Sequence, residues 1–101
     1  MSYEFKTHTG ATEVVIDDNC GISKFYQIAS ILTEQLKVNF LSQLDDSDTL
    51  DWDFKYKNTK LILHYNIFSG VSIFPQLTSK SLKTDNEIVL EIACFLEKTI
   101  Q

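Results

Sequence analysis

The residues 45–53 read DDSDTLDWD, five carboxylates within nine residues of a chain that has 14 acidic side chains in all. Acids at that density can chelate a cation, present negative charge to a basic partner, or simply wet a turn and the strand after it. Calcium is the first chemistry to test. An EF-hand loop started at Asp46 needs oxygen ligands at its third and fifth positions, glycine at the sixth and glutamate at the twelfth, and those positions hold Asp48, Leu50, Asp51 and Lys57. Three of these four requirements fail. A looser cation site among Asp45, Asp46 and Asp48 is left, but charges on a polar loop are more commonly just solvated.

Nucleophilic chemistry has little to work with. The imidazoles are His8, in a polar start, and His64, in a segment that reads as strand. A carboxylate beside His64 would be half of a triad, yet no third positioned group is in view, so no catalytic residue is expected. Two cysteines and two histidines lack the short ligand spacing of a zinc site. Gly10, Gly21 and Gly70 stand apart and form no phosphate-cradling loop. Neither a metal nor a cofactor is expected.

The elements that would position these groups follow from hydrophobic periodicity. Thr12 to Asp17 reads as a strand, closed by turn residues Asp18, Asn19 and Gly21. Phe25, Ile28, Ala29, Leu32 and Leu36 recur at helical spacing, which predicts a helix over about 22–37 with Ser23 as its cap. Val38, Phe40 and Leu44 alternate as in a strand, although Leu41 also suits a helical extension, and the strand is the reading adopted. Leu50, Trp52, Phe54 and Tyr56 then alternate with Asp51, Asp53, Lys55 and Lys57, the mark of a strand wet on one face.

A two-residue turn at Asn58 and Thr59 would set Trp52 against Tyr65, Phe54 against Leu63 and Tyr56 against Leu61. It would also set Asp53 against His64 and Asp51 against Asn66. Asn-Thr is a weaker turn signal than Asn-Gly, which leaves a longer loop open. A three-residue turn at Phe68, Ser69 and Gly70 would place Ile67 against Val71 and Tyr65 against Ile73, with Pro75 ending the last strand. Phe68 is then a large apolar residue at a turn tip, either tucked over the core edge or standing out as an anchor. Thr84 and Glu87 spell a capping box for a C-terminal helix whose stripe is Ile88, Val89, Ile92, Ala93, Phe95, Leu96 and Ile100. The expected architecture is one α+β domain over residues 1–101, a two-layer sandwich of order β-α-β-β-β-β-α, with an antiparallel meander and both helices on one face.

Composition narrows the partners. The chain of 101 residues carries a net charge of −5 with nine lysines and no arginine, so the bidentate fork that reads phosphate and guanine is missing. Nucleic acid and anionic membranes are not expected as partners, whereas a basic protein is. No apolar run nears the roughly 20 residues of a membrane span, and the start lacks the form of a secretory signal. A cytoplasmic protein is expected, with Cys20 and Cys94 as free, buried thiols.

The segment from Trp52 to Pro75, with its WDF, LHYN and GVSIFP pieces, resembles a pattern of small bacterial proteins. The short, acidic α+β build is similar to that of immunity proteins that neutralise secreted toxins. This resemblance implies a protein that binds a basic toxin domain, for example a nuclease, and obstructs its active site. Asp45, Asp46, Asp48, Asp51 and Asp53 would be the electrostatic group, with His64 and Phe68 beside them. Two other readings stand next to it. One is a homodimeric interaction domain, joined through sheet edges or through Ile62 and Phe74, and the other is a small ligand-binding or enzymatic domain using the Asp53 and His64 pair.

Overall fold

A computed structural model describes residues 3–6, 12–17, 21–57, 59–76 and 82–100 of the chain. These residues form β1 (Tyr3–Lys6), β2 (Thr12–Asp17), α1 (Ile22–Gln35), β3 (Phe40–Asp45), β4 (Thr49–Tyr56), β5 (Thr59–Asn66), β6 (Gly70–Pro75) and α2 (Leu82–Ile100). The strands make one antiparallel sheet in the order β1-β2-β6-β5-β4-β3. The fold is the expected α+β sandwich with the expected order of elements, preceded by β1, an added edge strand where the sequence suggested only a polar start.

One face of the sheet is apolar because the alternation holds through its centre. Along β5, Thr59, Leu61, Leu63 and Tyr65 are buried while the residues between them are not. Phe54 of β4 and Ile73 of β6 join them, fully enclosed. Phe25, Ile28, Ala29 and Leu32 of α1 and Val89, Ile92, Ala93 and Leu96 of α2 close this core from the same side. The α2 helix lies over β2, β6 and β5, and α1 over β5, reaching β4 through Phe25 and Trp52, whose rings meet edge to face 4.9 Å apart. Six strands about 4.8 Å apart span about 24 Å, more than two helices about 10 Å wide can cover. At β3 the helix-side residues Gln43 and Asp45 are exposed, so that edge lies beyond the cover of α1.

Several details depart from expectation. Both hairpins pair two residues away from the expected register. In the first, Tyr56 opposes Thr59, Phe54 opposes Leu61, Trp52 opposes Leu63 and Asp51 opposes His64, while Asp53 faces Ile62. A turn at Asn58 and Thr59 would place a β-branched residue where two-residue turns favour positive φ. Lys57 takes the left-handed conformation instead, at φ 51, and Thr59 is free to be buried. In the second, Asn66 opposes Gly70 and Tyr65 opposes Val71. The Phe68 amide donates to the Asn66 side-chain oxygen at 2.8 Å, and Gly70 supplies a φ of 80, so the loop is Ile67, Phe68 and Ser69. A shift of two residues preserves every face, which is why the core assignment survives it.

The α1 helix ends at Gln35, and its N-cap is Gly21, which offers no side-chain hydrogen bond; Ser23 lies inside the first turn. Lys37, at φ 60, turns the chain out of the helix, and Val38 is buried just before β3. A bulge between Phe40 and Ser42 switches the parity of β3, so Phe40 faces the core and Leu44 does not. The α2 helix begins at Leu82, and the Thr84 side chain, with the capping box expected of it, lies outside what the structure describes. Cys94 is a free thiol as expected but exposed, not buried. Cys20, His8, Gly10 and the expected Asp18–Asn19 turn signal lie outside the described residues, as does most of the crossing between β6 and α2.

Candidate partner-binding site

The seven residues singled out in the sequence fall into three places. The first is the outer face of the sheet, opposite the helices. Asp51 opposes His64 there, and the Asp51 carboxylate meets the His64 Nδ1 at 2.5 Å. The pairing of His64 with Asp53 is thus replaced by one with Asp51, a direct result of the register. Asp53 accepts a hydrogen bond from the Gln76 side chain at 2.8 Å. The His64 ring lies 5.8 Å from that of Phe74, whose cross-strand neighbour is Ile62. Around this pair the face is half-buried and mixed, with two carboxylates, an imidazole and the apolar Ile62 and Phe74, and both described helices lie on the other face.

The second place is one end of the sheet. The β3–β4 turn is closed by the Asp46 amide donating to the Thr49 carbonyl at 2.8 Å, and it is stitched to the neighbouring hairpin by the Ile67 amide donating to the Asp48 carbonyl at 3.1 Å. The Asp46 carboxylate accepts a hydrogen bond from the Ser47 amide at 2.8 Å. Asp46 and Asp48 therefore lie at the same end of the sheet as Phe68, which is 82% exposed. Ile67 next to it is also exposed. Among the described residues, no lysine pairs with Asp45, Asp46, Asp48, Asp51 or Asp53; the lysine ion pairs are Lys24 with Asp17 and Lys57 with Glu91.

The third place is the helix side of β3. Asp45 opposes Leu50, hence the core-facing side, and accepts a hydrogen bond from the Trp52 indole nitrogen at 2.8 Å. The five aspartates are not one array: Asp51 and Asp53 face outward, Asp45 faces the helices, and Asp46 and Asp48 cap the end between them.

Beside Asp45 an open groove of about 470 Å³ runs between α1 and β3, lined by Tyr26, Ser30, Glu34, Phe40, Gln43 and Trp52 among others. Trp52 is its hub, with its ring 5.2 Å from Phe40 and 5.8 Å from Tyr26, both edge to face. Tyr26, Ser30 and Glu34 follow one another by four, a stripe of α1 flanking the buried one. Sequence reasoning missed this groove. The signal available was Tyr26, an aromatic beside the core stripe of α1 that the core does not need.

At the far end of the β4–β5 hairpin, Lys57 donates to Glu91 of α2 at 2.8 Å and the Tyr56 hydroxyl donates to the same oxygen at 3.2 Å. The hydrogen bond from Lys57 holds the Glu91 carboxyl below its usual range, and the bond to Glu91 raises the Lys57 ammonium above its own. This pair fastens the hairpin to the helix. Among the described residues, no three His, Cys, Asp or Glu side chains converge as metal ligands do, and no helix is long and apolar enough to cross a membrane.

No curated protein and no solved structure matches the chain. A family model described as a protein of unknown function (DUF3630) matches residues 3–95, nearly the whole sequence, and the chain belongs to that family.

Proposed function

We propose that the chain is an acidic, non-catalytic cytoplasmic binding protein whose partner is a basic protein, and in its specific form an immunity or inhibitor protein that covers the active cleft of a basic toxin domain such as a nuclease. The observation that carries this reading is the end of the sheet where Asp46, Asp48 and the protruding Phe68 stand together. The turn backbones that carry these carboxylates are tied together by hydrogen bonds, so the charge is presented from a fixed base, and an exposed phenyl ring gives a cationic surface an apolar pocket-filler. From Val38 to Phe54 the sequence has five acidic residues and no lysine. A cleft shaped to receive phosphate would meet there the sign of charge that it attracts.

The immunity reading is tested by co-expressing the chain with a toxic protein encoded beside it. Growth restored by the wild type and not by a chain carrying Asp46→Lys, Asp48→Lys and Phe68→Ala supports it. Rescue by both chains moves the contact elsewhere, and no rescue by either removes the immunity role. A second reading, a homodimer joined at β3, is favoured by one feature: Leu41 and Leu44 are 64% and 66% exposed on that edge strand.

A further inference from the structure

The Asp46 amide bonds the Thr49 carbonyl, and in an antiparallel ladder alternate pairs exchange hydrogen bonds. By that alternation Ser42 and Leu44 direct their amides and carbonyls to β4, while Gln43 and Asp45 direct theirs away from the sheet. Sheet edges are usually guarded by lysine, proline or a covering element. Phe40–Asp45 has neither residue, and its bulge lies at the start, leaving residues 42–45 regular. A strand added here would send alternate side chains to the helix side, into the groove of Tyr26, Phe40 and Trp52.

The chemistry of that groove selects its occupant. Aromatic rings attract a cation through their faces, Glu34 and Asp45 are carboxylates at its wall and rim, and neither makes an ion pair with a lysine among the described residues. Resting on the reading above, that the partner is basic, we propose that β3 takes up an extended segment of the partner as an added strand, with one lysine or arginine side chain of that segment seated in the aromatic groove between α1 and β3. A second copy of this chain is the weaker fit, since each copy carries a net charge of −5 and brings its own acidic turn to the contact.

The probe is a blocked heptapeptide of alternating valine and arginine. Trp52 is the sole tryptophan, so its fluorescence reports the groove directly, and amide exchange by NMR reports the edge. Addition of the peptide changes the Trp52 emission saturably and slows exchange at Gln43 and Asp45, whose amides gain partners. Affinity falls about tenfold, the loss expected for an anchoring contact, with Gln43→Pro, which removes an outward amide and leaves the β4 ladder intact, and with Glu34→Gln by a smaller factor. A peptide N-methylated at alternate residues keeps its charge but cannot pair, and it reproduces the loss on the unaltered protein should Gln43→Pro fail to fold.

Binding with unchanged exchange at Gln43 and Asp45, or equal affinity for the N-methylated peptide, overturns strand addition while leaving a basic partner in place. Absence of binding at low salt also overturns it, and the co-expression experiment then decides the basic-partner reading separately. Exchange at Gln43 and Asp45 that slows with protein concentration, without peptide, assigns the edge to a second copy and overturns the proposal.

Discussion

Phe54 shows what a single residue contributes to this fold. It is fully enclosed between Phe40, whose ring is 5.6 Å away, and Leu61 across the ladder. Its replacement by alanine leaves a cavity that a sheet pinned on both sides cannot close, so Phe54→Ala is expected to cost about 3–5 kcal/mol in urea unfolding, a large part of the stability of a small domain. An unchanged midpoint would mean that the core does not centre on β4 and β5. Glu91 supplies a residue-scale test of another kind. Its carboxyl is held low by the hydrogen bond from Lys57, so whatever stability it adds is present above the unfolded carboxyl pKa and fades as pH falls through the lower folded value. Lys57, raised by the same bond, keeps its contribution below its unfolded pKa and loses it as pH rises through the folded one. Both side chains are about half exposed, so solvent screens the pair and the effect is small. An NMR titration should find the Glu91 midpoint below the one measured in Lys57→Gln; identical midpoints would deny the pair.

Among the elements, α1 begins with less than it could have. Gly21 has extended dihedrals, φ −92 and ψ −178, no side chain to cap the first turn, and open space where a Cβ would stand. Gly21→Asp adds a capping oxygen and removes conformational freedom from the unfolded chain, and a gain of about 0.5–1 kcal/mol in thermal or urea unfolding is expected. A loss would place the start of the helix elsewhere. The strands show how far the sequence could be read. Alternation in LDWDFKY and TKLILHYN made β4 and β5 legible, together with their inward faces, because burial imposes a period of two whatever the turn does. Register was not legible, since it depended on which residue would accept a positive φ, and Lys57 gives no such signal while Asn58 and Gly70 do. The same limit moved the partner of His64 from Asp53 to Asp51. The strand β1 was missed because four residues are too few to set a period against, and the bulge in β3 hid its parity by placing Phe40 and Leu44 on different faces.

At the scale of the whole molecule, two helices over six strands leave β3 bare on its helix side, and the five aspartates of residues 45–53 lie at that flank, at the end beside it and on the outer face behind it. The sequence disclosed the charge and the tip residue Phe68. It did not disclose the groove, which exists only once α1 has crossed the sheet and brought Tyr26 to Phe40 and Trp52. Nor did it show that the five aspartates divide among two faces and an end. A partner therefore meets negative charge from whichever side it approaches this flank, and long-range attraction should speed the encounter more than it deepens the final affinity. The direct measurement is the association rate between this chain and the basic partner proposed for it, by stopped-flow fluorescence, at low and at high salt, for the wild type and for Asp46→Asn with Asp48→Asn. The rate should fall about tenfold or more as salt rises, and the double variant should be slower at low salt and flatter across the series. A rate that ignores both salt and the two substitutions would contradict the account.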